Sequence, residues 1–205
     1  MKYLKMCLLV AGIATAFGAV IGVGTASATE TTLCENEVLV CKQRYLAETA
    51  IGAELEATTK LSVSVGITQF TCTESALAAH LKEEKNIPLH SSLTGFTFGG
   101  CGTECEMFTF KKGELDIELI DMPVVTANGT LTLTGSEFEV NCFKGLLKCF
   151  YIPGDIGTLT GGNPATIDLS GTLTLVKATS NEAWEKGSIK GSFKVTAPKP
   201  VWVRE

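Results

Sequence analysis

The chain has 205 residues, with 22 acidic and 17 basic side chains and a formal net charge of −5 at pH 7. This acidic balance argues against nucleic acid and anionic lipid as partners, because both require patches of lysine and arginine. The length fits one domain that can bury a sizeable hydrophobic core.

The first 28 residues have the pattern of a secretory signal peptide. Lys2 and Lys5 form a positive start, an apolar run extends from Met6 to Val23, and Ala26–Ala28 matches a small-residue cleavage site. A membrane anchor is the alternative, since the run is about long enough to span a bilayer. We predict cleavage, which removes both lysines and leaves a single secreted domain, residues 29–205, with a charge of −7 and no membrane segment.

Most of this domain alternates apolar and polar residues with the period of a β-strand. The clearest segments are 61–67, 115–119, 138–142 and 189–195. One apolar and one polar face in each segment indicate an antiparallel sheet with one side in water. Short strands between turn residues predict an all-β fold, either an antiparallel β-sandwich or a barrel-like domain.

Two local signals stand out from this pattern. Residues 74–85 follow a cap-like Thr73 and contain good helix formers, which predicts one short helix, with a strand as the alternative. Asn128-Gly129 lies between the strand-like segments 123–126 and 130–134. Both residues tolerate positive φ, so we predict a tight hairpin turn at this dipeptide.

Seven cysteines follow the predicted signal peptide: Cys34, Cys41, Cys72, Cys101, Cys105, Cys142 and Cys149. In an oxidising compartment they should form disulfides, and an odd number leaves at least one without an intrachain partner. Cys34 and Cys41 bracket a short loop. A hairpin turning at Gly145-Leu146 would place Cys142 opposite Cys149, at the separation that a disulfide requires. Cys72 then has Cys101 or Cys105 as its partner.

Metal binding by these cysteines is a weaker hypothesis. Cys101 and Cys105 have a plausible ligand spacing, but structural zinc sites usually contain two close ligand pairs, and His80 and His90 are ten residues apart. We therefore expect disulfides, two surface histidines, no metal and no other cofactor. The sequence also lacks the motifs of a nucleophile elbow, a phosphate-binding loop and a zinc protease.

Carboxylates are the groups best placed to support catalysis. Glu114, Asp116 and Glu118 share one strand face, and so do Glu137 and Glu139. Two acids a few ångströms apart suffice for glycoside hydrolysis. Nothing in the sequence joins these acids to a pocket, so we expect a solvated polar face.

Three segments, 31–34, 156–169 and 198–203, carry a resemblance to known proteins. Through them the chain resembles a family of secreted, β-rich, cysteine-containing proteins of soil actinobacteria, over most of residues 29–205. The shared motifs are turns and cysteines. The resemblance therefore implies secretion and implies no activity.

The resemblance also bears on the odd cysteine. Relatives often carry a further cysteine just before the position of Trp184, and residues 180–183 contain none here. The resemblance thus implies one unpaired cysteine, for which Cys105 is the candidate. A free thiol on Cys105 would permit a disulfide-linked dimer.

Together these observations predict a secreted, non-catalytic β protein that binds an extracellular ligand, whether a cell surface, a glycan or another protein. The alternatives are a secreted hydrolase that uses the strand carboxylates, and a secreted inhibitor or toxin that uses the loop 142–149.

Overall fold

The structure is a computed structural model that describes residues 30–37, 41–66, 68–102, 104–120, 128–179 and 186–204. The predicted signal peptide, residues 1–28, and the strand-like segment 123–126 lie outside the described residues. Within these ranges the chain is built from strands and contains no helix. It follows that none of the described residues belong to a helix that could cross a membrane.

Fifteen strands make up the fold. They are β1 (Thr31–Cys34), β2 (Ala50–Leu55), β3 (Leu61–Val65), β4 (Thr68–Leu81), β5 (Lys85–Asn86), β6 (Leu89–Cys101), β7 (Cys105–Lys111), β8 (Glu114–Leu119), β9 (Asn128–Thr134), β10 (Glu137–Cys142), β11 (Leu147–Pro153), β12 (Asp155–Thr160), β13 (Thr166–Ala178), β14 (Lys186–Ala197) and β15 (Trp202–Arg204).

The main antiparallel ladder closes on itself. Strand β14 pairs with both β2 and β3, and each of these pairs with a different half of β4. From β4 the ladder continues through β6, β8, β9, β12 and β13, and then returns to β14. We call this closed arrangement the strand ring. It confirms the predicted all-β class with a sandwich or barrel-like architecture.

Two smaller sheets adjoin the strand ring. The end of β13, residues 173–178, pairs with β11, which continues to β10 and β7. We call these four strands the side sheet. Strands β5, β1 and β15 form a separate three-stranded sheet. This small sheet packs against the ring, where the Leu119 amide donates a hydrogen bond to Thr31 Oγ1 at 3.0 Å.

The core is one cluster of buried side chains from the strand ring, the side sheet and the small sheet, because alternation along each strand turns its apolar residues to one face. Leu61, Val63 and Val65 of β3 are fully buried, for example, with serines between them. Four phenylalanines, with ring centroids 4.6–5.9 Å apart, join the ring to the side sheet: Phe96, Phe98, Phe138 and Phe193. An apolar cavity near Leu33 and Ile117 has a volume of only about 10 Å³.

The predicted short helix at 74–85 is wrong. Residues 68–81 form β4, and residues 85–86 form β5. Leu77, Ala79 and Leu81 are buried, whereas the side chains between them face outward. A helix here would leave β2 and β6 without their hydrogen-bonding partner. The gain from these ladders outweighs a helix propensity of a few tenths of a kcal/mol per residue.

The predicted turn at Asn128-Gly129 is also wrong, because both residues belong to β9. Gly129 pairs with β8 and β12, and Asn128 pairs with Thr160 of β12. Packing explains the glycine. A Cβ at Gly129 would lie 2.9 Å from Ile117 Cγ2 and 3.4 Å from Val203 Cγ1. Glycine therefore allows Ile117 of β8 and Val203 of β15 to approach β9 closely at this position.

Candidate functional site

Three disulfides stabilise the described chain. Cys34 is bonded to Cys41, as their short spacing predicts. Cys72 is bonded to Cys101, directly opposite it in the β4–β6 ladder, which decides between the two partners that the sequence left open. The third bond joins Cys105 to Cys142. Three intrachain disulfides are typical of extracellular proteins.

The third bond corrects two predictions, the Cys142–Cys149 pair and the free thiol on Cys105. The hairpin turn occupies residues 143–146, so Cys142 faces Leu147 on β11 rather than Cys149. On the other side of β10, Cys142 faces Cys105 of β7. Because Cys105 is bonded within the chain, it has no thiol for the predicted dimer.

Cys149 is the free cysteine among the described residues, and it is buried. Burial raises the pKa of its thiol, and a hydrogen bond with Tyr151 offsets only part of this effect. Burial also raises the pKa of the Tyr151 hydroxyl far above its usual value, with a smaller contribution from Cys149. Both groups therefore stay protonated at neutral pH, which makes Cys149 a poor nucleophile.

The carboxylates singled out in the sequence lie on open sheet surfaces. Glu114, Asp116 and Glu118 share the outer face of β8, as predicted. On β10 the two acids form ion pairs with lysines. Glu137 lies 3.9 Å from Lys111 Nζ, and Glu139 lies 3.4 Å from Lys148 Nζ.

Two of the acids of β8 take part in a cluster that the sequence did not reveal, here called the outer cluster: Lys82, His90, Glu114, Asp116 and Thr134. His90 Nδ1 lies 2.7 Å from Asp116 Oδ1 and 3.7 Å from Glu114 Oε2. Thr134 Oγ1 donates to Asp116 Oδ2 at 2.7 Å, and Lys82 Nζ donates to Glu114 Oε1 at 2.6 Å. The hydrogen bond to Glu114 is the main cause that raises the pKa of Lys82.

Strand register assembles the outer cluster. His90 of β6 stands directly opposite Asp116 of β8, and Glu114 of β8 stands opposite Thr134 of β9. His80 lies on β4 opposite Ser92 and is not part of the cluster. Strand alternation could place Glu114 and Asp116 on one face, but no local signal in the sequence indicates which strand would bring a histidine to them.

The side sheet carries most of the exposed apolar residues. Among the described residues, seven large hydrophobic side chains are exposed, and five belong to this sheet or its hairpin turn. Phe108, Ile152 and Val176 are 45%, 42% and 55% exposed on β7, β11 and β13. With the half-buried Phe150 we call them the apolar face. Leu146 in the adjoining turn is 83% exposed.

An open groove of about 470 Å³ lies on a different part of the surface. It is lined by β2, β4 and β6. It lies beside residues 73–75 of β4, between the half of β4 that pairs with β3 and the half that pairs with β2. Glu54 and Glu74 both line it, and the sequence analysis did not single out either residue. Its lining contains no histidine or cysteine.

No family model, curated protein or solved structure matches this chain.

Proposed function

We propose that the protein is a secreted, non-catalytic binding protein that recognises another protein through the apolar face of the side sheet. The observation that carries this proposal is the concentration of exposed large hydrophobics on the side sheet and its hairpin turn, which hold five of the seven among the described residues. Contiguous apolar patches on soluble proteins commonly mark binding surfaces.

The surroundings of the apolar face favour a protein as the ligand. Glu139 stands between Phe108 and Phe150 in the strand register and forms an ion pair with Lys148. Apolar and charged side chains therefore alternate across this face, and protein interfaces commonly combine apolar contacts with charges of both signs. The aromatic residues of the face are phenylalanines, which lack the polar edge of tyrosine and tryptophan, whereas Tyr151 is buried. A sugar ligand would favour the opposite arrangement.

The fold supplies a rigid base for this surface. The Cys105–Cys142 bond ties β7 to β10, and Phe138 contacts Phe96 of the strand ring at 5.7 Å between centroids. A preorganised surface loses little conformational entropy when it binds.

Site-specific photo-crosslinking on the source cells tests this proposal. Ile152 is replaced by benzoylphenylalanine, with the exposed Thr130 on β9, which β12 separates from β13, as the control position. We expect one polypeptide to crosslink at position 152 and not at position 130, and Phe108→Ser to abolish the adduct. Equal crosslinking at both positions, an adduct with carbohydrate, or no adduct at all would contradict a protein partner.

A secreted hydrolase remains the second candidate because of one observation, the presence of Glu54 and Glu74 in the open groove. Glu54 pairs with Ala76 in the β2–β4 ladder. Glu74 lies two residues before Ala76 on β4, so the two acids are near neighbours on adjacent strands. A pair of carboxylates flanking a bound sugar is the usual arrangement in glycosidases.

Turnover on a panel of polysaccharides distinguishes this candidate from the first. Activity that Glu74→Gln abolishes, and that Glu118→Gln leaves unchanged, would establish the hydrolase. If both variants and the unmodified protein are equally inactive on the panel, the binding proposal stands as the better account.

A further inference from the structure

We propose that His90, Glu114 and Asp116 form a binding site for a divalent transition cation, for which Zn²⁺ is the best match. One nitrogen or oxygen atom from each of these side chains lies within 4.8 Å of the other two. All three residues are half-buried, so the donors lie at the surface with one side open to water. This site is separate from the apolar face and independent of the partner proposed for it.

The contacts around the three donors orient them toward a common point. Asp116 uses Oδ2 to accept from Thr134 and turns Oδ1 toward His90 Nδ1. Glu114 uses Oε1 to accept from Lys82 and turns Oε2 toward the same nitrogen. In each carboxylate, one oxygen thus accepts a hydrogen bond from Thr134 or Lys82, and the other is directed at His90 Nδ1. Outer contacts of this kind orient the ligands of protein metal sites.

The backbone also holds the donors in place. His90 and Asp116 are direct partners in the β6–β8 ladder, and Glu114 follows two residues away on the same face. The His90 amide donates to Glu83 Oε1 at 3.2 Å, and the Lys82 amide donates to the His90 carbonyl at 3.0 Å. Ligands placed on paired strands are preorganised, and a cation would replace the proton that His90 Nδ1 and Asp116 Oδ1 share, which is released to water.

The donor set selects the class of cation. One imidazole nitrogen and two carboxylate oxygens suit Zn²⁺, which binds both atom types and accepts three protein ligands with water in the fourth position. Ca²⁺ requires six to eight oxygens, and Mg²⁺ favours octahedral oxygen coordination. The two carboxylates outweigh the single ammonium of Lys82, so the local charge attracts a cation.

Isothermal titration of the purified protein with zinc chloride tests the site. We expect one Zn²⁺ per chain, and His90→Ala and Asp116→Asn should each weaken binding by more than about 10-fold. Thr134→Val keeps all three ligands but removes the outer contact to Asp116, and we expect about 10-fold weaker binding. Circular dichroism of each variant checks that the fold is retained.

Matched controls separate this site from binding elsewhere. His80→Ala and Glu118→Gln change the same residue types on the outer face and should leave the zinc affinity unchanged, as should Cys149→Ala. Bound Co²⁺ should show visible bands without a sulfur-to-cobalt charge-transfer band. Zinc affinity that survives His90→Ala, or Ca²⁺ binding as tightly as Zn²⁺, would overturn the proposal, as would the absence of zinc binding to the unmodified protein.

Discussion

Removal of the Cys105–Cys142 bond is the most informative perturbation of the fold. The bond joins the edge strand β7 to β10 and closes a loop over a sequence separation of 37 residues. Replacing both cysteines with alanine removes the cross-link and avoids leaving Cys142 free to react with Cys149 on the neighbouring strand. Cys149→Ala is the matched control, because it removes a buried sulfur from the same sheet without opening a loop.

The length of the closed loop sets the expected loss in the free energy of unfolding. Closing a loop of this size lowers the entropy of the unfolded chain enough to stabilise the folded state by about 4 kcal/mol. The seven-residue separation of Cys34 and Cys41 gives about 2.5 kcal/mol by the same relation. Loss of the sulfur of Cys149 should cost about 1 kcal/mol through packing alone. We therefore expect the double variant to be clearly less stable than the control in urea unfolding.

Peptide mapping without reduction examines the connectivity itself. Trypsin cuts after Lys144 and Lys148, so Cys142 and Cys149 fall into separate peptides, 113–144 and 149–177. The structure predicts that 113–144 stays linked to 86–111, which the Cys72–Cys101 bond also joins to 61–82. Peptide 149–177 should be released with an alkylatable thiol once the protein is unfolded.

Two results would refute this reasoning. A linked pair of peptides 113–144 and 149–177 would restore the hairpin disulfide that the sequence suggested and free Cys105. Equal free energies of unfolding for the double variant and for Cys149→Ala, with the mapped bond present in the parent, would show that loop closure does not stabilise this sheet.

Three further outcomes follow from packing and ionisation. Gly129→Ala should lower the free energy of unfolding by about 1–3 kcal/mol, because its Cβ would press on Ile117; an unchanged urea midpoint would contradict the close approach. Phe138→Ala should cost about 3–5 kcal/mol, because the ring is fully buried in the aromatic cluster; a loss below 1 kcal/mol would be inconsistent with that packing. Cys149 and Tyr151 have raised pKa values in the folded protein, so their contribution to stability is present below about pH 9 and is lost as pH rises beyond the unfolded values of 9.0 and 10.0. Urea unfolding between pH 8 and 10.5 should show this loss, and it should shrink in the Cys149→Ala/Tyr151→Phe variant.

Strand periodicity made the fold class predictable. Alternation along segments such as 115–119 and 138–142 depends only on the residues themselves, and these segments form β8 and β10. The Cys34–Cys41 bond was predictable for a similar reason, since seven residues of chain keep the two cysteines close. Features set by near neighbours in the sequence can be recognised without knowing the partner strands.

Where the local conformational preference of a segment disagreed with strand pairing, strand pairing determined its secondary structure. Residues 74–81 have the composition of a helix, but they lie between two partners and extend as β4. Asn128-Gly129 has the composition of a turn, but close packing against β8 and β15 places it within β9. In both cases the deciding contacts come from parts of the chain that a short window of sequence does not contain.

The order of the residues was enough to predict that the chain is rich in strands, that Glu114 and Asp116 share a face, and that most cysteines form disulfides. That His90 joins these acids, and that Cys105 is the partner of Cys142, became visible in the folded chain. These pairs are 26 and 37 residues apart. Their meeting depends on the register between strands, which is a property of the whole ladder and of the turns that connect it.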